Sequence, residues 1–302
     1  MSRLDPDELY SIAPDLPDLR GAVLIQALDG FIDAGAAKRL AREHLQSVHG
    51  STTVADFDVD ALLDYRARRP MMVFDEDHWA SYESPQLEIQ YAHDLAGTPF
   101  LLLVGPEPDV YWETFAMAIA RLIVTFEVSL TVGLNSIPMA VPHTRPLGII
   151  SHGSRPELIA SNDRWVGKVQ VPSSMGHLLE YRLGASGRDA AGMAVAVPHY
   201  LAETAYPAAA VRLLEGVAAL TDLQLDLSGL IAQAAEVRAE VDKQVDSADE
   251  VRAVVGALEQ QYDSTLAGTS KLMADMGGSL PTADELGEEF QKYLAGQGED
   301  EA

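Results

Sequence analysis

The sequence predicts an α/β fold of three layers, αβα, with a mainly parallel sheet and a C-terminal helical extension. Three observations lead there. Short aliphatic runs bounded by glycine recur at residues 22–28, 100–105 and 129–134. Runs of that length and composition are strands buried on both faces. The first two run through a tight turn into a helical pattern, the strand–turn–helix unit of a sheet covered on both sides. From Tyr206 onward the aliphatic runs cease and only helical periodicity with charged outer faces remains.

Taken in order, residues 1–19 are acidic and punctuated by Pro6, Pro14 and Pro17, an arm or edge segment. After the strand at 22–28, Asp29-Gly30 turns the chain and Asp33 is placed to cap a helix over 34–48, whose apolar stripe is Ala34, Ala37, Leu40, Ala41 and Leu45. Residues 51–58 read as a strand, 61–69 as a short helix bearing Arg66, Arg68 and Arg69, and 71–74 as another strand. Residues 75–82 read as a polar, aromatic-bearing loop. Leu87, Ile89 and Tyr91 alternate with Glu88 and Gln90, the pattern of an antiparallel strand with one wet face. A helix over 112–126 follows the strand at 100–105. Further strands are expected at 129–134, 147–151 and 193–198. Beyond them, helices are expected from Pro207, over 230–245, 250–266 and 283–294. Ser247-Ala-Asp-Glu and Thr282-Ala-Asp-Glu fit the capping-box pattern and mark two helix starts. This gives an α/β domain over 1–222 and a helical extension over 223–302 that ends in a disordered acidic tail.

Composition narrows the function. The chain has 302 residues, 47% of them hydrophobic, enough for one large domain with an appendage. Cysteine is absent, so there is no disulfide frame, thiolate metal site or cysteine nucleophile. No stretch approaches the ~20 apolar residues of a spanning helix, and the N-terminus lacks a signal-peptide apolar segment, so a cytoplasmic location and no membrane partner are expected. A formal charge of −25 repels nucleic acid, and it suits either basic protein surfaces or simple solubility.

In an open α/β sheet, ligands bind outside the carboxyl ends of the strands. The loops expected there carry Asp29, Asp33, Glu107, His143, Arg145 and His199, the candidate ligand pocket. Asp29–Asp33 is neither a G-x-G-x-x-G nor a P-loop, so it serves either as a structural turn or as a ligand-facing loop. His152, Ser173, Ser174 and His177 lie in further loops. His177 and Glu180, three apart on a helix, lack the H-E-x-x-H context of a metal site, and no G-x-S-x-G elbow occurs; no metal and no cofactor are expected. His143 and Arg145, an acid–base and a fixed cation two residues apart, suit an anionic or nucleoside-like ligand.

Gly30-Phe-Ile-Asp-Ala-Gly, Gly105-Pro-Glu-Pro-Asp followed by Trp112-Glu, Val141-Pro-His-Thr-Arg-Pro and Val197-Pro-His-Tyr-Leu, in this order, resemble the proteasome assembly chaperone family of the type named after the second chaperone, in its actinobacterial branch. The resemblance spans most of the chain. It implies a three-layer fold like that of nucleoside phosphorylases and related hydrolases, a C-terminal helical segment, and self-association, for instance as trimers. It also implies protein partners such as proteasome subunits. The chain ends Glu-Asp-Glu-Ala, not in the hydrophobic-Tyr-any tail that some proteasome partners insert into ring pockets, so docking by that route is not expected. Two functions stand against each other. One is a non-catalytic, self-associating protein-binding or assembly factor. The other is a nucleoside- or phosphate-binding enzyme of phosphorylase or hydrolase type.

Overall fold

A computed structural model of the chain describes residues 4–30, 32–159 and 168–275, with side chains to residue 265. The strands are β1 (Tyr10–Ile12), β2 (Val23–Asp29), β3 (Thr52–Phe57), β4 (Met72–Asp75), β5 (His78–Tyr82), β6 (Glu88–His93), β7 (Pro99–Pro106), β8 (Leu130–Met139), β9 (Ile149–Gly153) and β10 (Ala190–Pro198). The helices are α1 (Ala37–His49), α2 (Val59–Leu62), α3 (Trp112–Thr125), α4 (Met175–Ala185), α5 (Pro207–Thr221), α6 (Ser228–Asp246) and α7 (Asp249–Asp275).

Eight strands form one mixed, mainly parallel sheet in the order β1-β3-β6-β7-β2-β8-β10-β9. The central ladders β7–β2, β2–β8 and β8–β10 are parallel. The flanks are antiparallel, with β6, β3 and β1 on one side and β9 on the other. The acidic N-terminal arm thus ends as an edge strand. The period-two alternation of β2 splits the core. Val23, Ile25 and Ala27 point toward α1 and α5, and Leu24 and Leu28 toward α3 and α4. Each helix delivers a matching stripe: Ala37, Ala41 and Leu45 from α1, Leu213, Leu214 and Val217 from α5, and Phe115, Ile119 and Leu122 from α3. The expected three layers are present.

The helical extension packs on its own sheet domain. Leu223, Leu230 and Val241 are buried in the same core as α1 and α5, with Val237 and Val245 packed against it.

Several expectations are corrected. Residues 75–82 are not a loop. They form the turn and second strand of a β4–β5 hairpin, in which Val73, Phe74, Trp79 and Tyr82 supply the β propensity. The helix expected over 61–69 shrinks to α2, capped by Asp58 and closed before a turn at Asp64. The second face of β6 is not wet: Glu88 is buried, Ala92 is in the core, and Gln90 accepts from the Gln46 side chain of α1 at 2.8 Å. Residues 137–139 and 152–153 continue strands β8 and β9. The helix start marked by Ser247-Ala-Asp-Glu is present as α7 from Asp249, but Ser247 itself closes α6, its hydroxyl donating to the Gln244 carbonyl at 2.7 Å. The Thr282 capping box, the helix expected over 283–294 and the acidic tail lie outside the described residues.

Candidate functional site

The carboxyl ends of the parallel strands meet α4 around a cavity of about 210 Å³. Its wall comes from Gln26 and Leu28 of β2, Asn135 and Ser136 of β8, Glu107 beyond β7, and Ser174 and His177 at the start of α4. Lys38, in the first turn of α1, reaches it from the opposite face of the sheet, over the end of β2.

The chain builds this corner through strained backbone. Asp33 does cap α1, but from a distance. A single 3-10 turn over Ala34–Ala36 intervenes, with Gly35 at φ 67° and Ala36 at φ 50°. The two Asp33 carboxylate oxygens therefore accept from the backbone N–H of Lys38 at 2.8 Å and of Arg39 at 3.0 Å. Both are free donors of a helix start. Asp33 also accepts from the Ser136 hydroxyl at 2.9 Å, tying α1 to β8. A side chain at Gly35 would meet Tyr206 at 3.0 Å and Val197 at 3.2 Å, so glycine is required twice over. Gly105, at φ 115°, turns the chain out of β7 where any side chain would strike the Gln86 carbonyl at 2.1 Å. That turn delivers Glu107, whose carboxylate accepts from the Met175 N–H of α4 at 2.9 Å.

Two polar side chains in this wall are buried and, among the described residues, make no side-chain hydrogen bond. Lys38 is 4% exposed, and among the described residues its ammonium makes no hydrogen bond or ion pair. Burial holds its pKa below the usual lysine range, against the raising pull of Asp33, Asp29 and Glu107; Arg42 adds to the lowering. Gln26 is also 4% exposed and reaches toward α4 where only Gly176 leaves room, a side chain there falling 2.7 Å from the Gln26 amide oxygen. His177 is pushed down by burial first and then by His152, with a further contribution from Lys38. It is neutral at neutral pH.

Of the six expected pocket residues, Glu107 lines this cavity and Asp33 supports its wall. Asp29 pairs with Arg42 of α1 at 2.6 Å. His199 is exposed and packs edge-on against Tyr200. His143 and Arg145 face the helical extension instead. His143, 2% exposed, offers its backbone N–H to the Tyr200 hydroxyl at 2.9 Å, and the same hydroxyl contacts its Nδ1 at 2.6 Å. The Asp242 carboxylate of α6 can only accept, so Nε2–H donates to it at 3.0 Å, and the Tyr200 hydroxyl donates to Nδ1 of the neutral ring. Arg145 grips Asp263 of α7 with two bonds, at 2.9 and 2.8 Å, and reaches Glu259 at 3.1 Å. Loop 143–146 is thus a strap over the extension.

Lys38 and Gln26 were not among the expected residues. The signal for Lys38 was available. It sits one residue after Ala37 and seven before Leu45, on the stripe that faces inward. Among the described residues, no group of three or more His, Asp or Glu side chains is arranged to hold a metal ion. No helix among them is long and apolar enough to cross a membrane.

A second surface stands apart from the sheet. In the β4–β5 hairpin every residue is exposed, Phe74 at 56% and Trp79 at 63%, their rings packing on each other with centroids 5.1 Å apart. Its tip is acidic, Asp75-Glu76-Asp77, and the chain entering it carries exposed Arg66 and Arg69.

The model of the PAC2 family matches residues 27–245. Rv2714, a Mycobacterium tuberculosis protein of unknown function, has a structure 46% identical in sequence that superposes with a TM-score of 0.82, covering 86% of this chain and 92% of its own. A Corynebacterium glutamicum protein of unknown function is 37% identical at a TM-score of 0.81, covering 86% and 98%. The M. tuberculosis proteasome-assembly chaperone homologue Rv2125 is 24% identical at a TM-score of 0.71, covering 77% and 99%, a likeness of fold. Comparison with curated proteins finds no match.

Proposed function

Because the chain belongs to the PAC2 family, we infer that it is a non-catalytic protein-binding assembly factor, acting in the cytoplasm as a homo-oligomer. The observation that carries this reading is the β4–β5 hairpin. A two-stranded hairpin is marginal by itself in water. This one holds Met72, Val73, Phe74, Trp79 and Tyr82 in solvent, in one contiguous projection. Exposed apolar projections of this kind mark association surfaces. The occupant we favour is a second copy of the chain. The acidic tip of one hairpin complements Arg66 and Arg69 at the base of another, and a head-to-tail contact of that sort closes into a ring such as a trimer. Oligomerisation would present the acidic surfaces of several copies to one client, for which proteasome subunits are the candidates.

Sedimentation velocity of the wild type and of a Phe74→Ser/Trp79→Ser double variant tests this. The expected result is an oligomer for the wild type and a monomer with unchanged far-UV circular dichroism for the variant. A wild type that stays monomeric at micromolar concentration overturns the reading, as does a variant that keeps the wild-type oligomer. Retention of purified proteasome α-subunits by the immobilised wild type is the matching test of the client.

The alternative, a nucleoside- or phosphate-binding enzyme, rests on Arg145 to hold an anion and His143 to move a proton. Both side chains are occupied by Asp242, Glu259 and Asp263, which favours the strap role over that one.

A further inference from the structure

The cavity at the carboxyl ends of β2, β7 and β8 holds a nucleophile that no assembly role uses. We propose that Lys38 captures small, largely apolar aldehydes or ketones in this cavity as an imine. The site does not depend on the assembly reading; it rests on the geometry of this corner alone.

The argument begins with what Lys38 lacks. A buried ammonium is ordinarily paired, because an unpaired one is expensive to desolvate. Here the nearby carboxylates are turned to other donors, Asp33 to two backbone N–H groups and the Ser136 hydroxyl, Glu107 to the Met175 N–H and Asp29 to Arg42, and among the described residues none is ion-paired with Lys38. The amine is therefore free to point its nitrogen at whatever enters. Burial favours its uncharged, nucleophilic form, and this is how lysines that form Schiff bases are activated.

The surroundings select the ligand. Leu28, Ile32, Ile137, Val171 and Ala194 make most of the wall apolar. The charged groups acting on Lys38 are Asp33, Asp29 and Glu107 against Arg42. With the lysine itself protonated they sum to one excess negative charge, which disfavours an anion and tolerates a neutral carbonyl compound. Gln26, buried and unpaired among the described residues, offers an amide N–H for the carbonyl oxygen. At the rim, Ile32 and Val171 are exposed, so the cavity opens to solvent.

The reaction balances without a co-reactant. The Lys38 nitrogen lone pair adds to the carbonyl carbon and the C=O π pair moves to oxygen. A proton passes from nitrogen to that oxygen, for which neutral His177 is the nearby carrier; Lys38 and Glu107 both act on its titration, as do His152 and Glu180. The carbinolamine then loses its hydroxyl, with a proton, as water, and the nitrogen lone pair forms C=N. Amine and carbonyl give imine and water.

The test is reductive trapping on the full chain at pH 7. The protein is incubated with 3-methylbutanal and sodium cyanoborohydride, then analysed by intact mass and peptide mapping. The lysines at 38 and 243 compete in one tube, and Lys243 is a fair reference because its side chain is 80% exposed. We expect the adduct at Lys38 to form faster than at Lys243, since burial favours the uncharged amine of Lys38. Lys38→Met should abolish the fast adduct and leave the slow ones unchanged. Labelling of Lys38 at or below the rate of Lys243 overturns the proposal on wild-type protein alone, whether or not the variant folds. Equal fast labelling in Lys38→Met overturns it too.

Discussion

Lys38 lies on the inward stripe of α1 and, among the described residues, has no partner for its charge, which costs stability. Its pKa is lowered by burial, so the folded state binds its proton less well than the unfolded state does. The penalty is full below the folded pKa and is relieved as pH rises from there to the usual lysine value, each unit of depression being about 1.4 kcal/mol. Lys38→Met should therefore raise the urea midpoint at pH 7, and its advantage over the wild type should shrink by pH 10. An unchanged or lower midpoint at pH 7 would show that the ammonium has a partner. His177, also lowered by burial, acts in the same sense at lower pH: its neutral form is the one the fold accepts, so stability falls as pH drops below the usual histidine value. Gly105→Ala should be severe, since φ 115° and a 2.1 Å clash with the Gln86 carbonyl combine there. Strain of this kind costs on the order of 1–3 kcal/mol before the clash is added, and calorimetry would register a melting point several degrees lower.

At the scale of elements, the strap over α6 and α7 has two parts of unequal weight. His143 is 2% exposed and serves Tyr200 and Asp242 together, whereas Arg145 and Asp263 meet at the surface. Removing a buried partner leaves the others unsatisfied, at about 1–3 kcal/mol. His143→Ala should therefore destabilise by about that amount and speed proteolysis within α6 and α7, while Arg145→Ala changes either measurement little. Arg145 holds the Asp263 carboxyl below the usual range. The exposed clamp is thus intact above about pH 4 and weakens only as pH falls below the ordinary carboxylate pKa. The elements themselves were largely legible, because period two and period 3.6 are local signals. Aliphatic runs gave β2 and β7 nearly to the residue, and the start of β8, which continues to Met139. The hairpin was missed because Asp75-Glu-Asp-His breaks its alternation at the turn. The role of His143 was missed because its partner Asp242 lies 99 residues away, and no spacing in the chain encodes which loop a later helix will lie against.

For the whole molecule, the core does not respect the boundary at residue 222 that composition suggests. Leu223, Leu230 and Val241 are 4%, 2% and 8% exposed and share a core with α1 and α5. Each such side chain contributes about 1.5–3 kcal/mol on burial, and a whole domain is stable by only about 5–15 kcal/mol. A chain ending at 222 should thus fail to give a cooperative thermal transition, where the longer chain gives one; a sharp transition in the short chain would make the extension dispensable. The strand order has a consequence for how the protein is made. β2 sits at the centre of the sheet, yet its neighbours are β7 and β8, and β8 in turn needs β10. On a ribosome β2 emerges early and waits on the order of ten seconds for residue 139, at about 5–20 residues per second. During that wait Val23, Leu24 and Ile25 have no sheet to join. A member of the PAC2 family thus passes through synthesis with its own middle strand unsheltered.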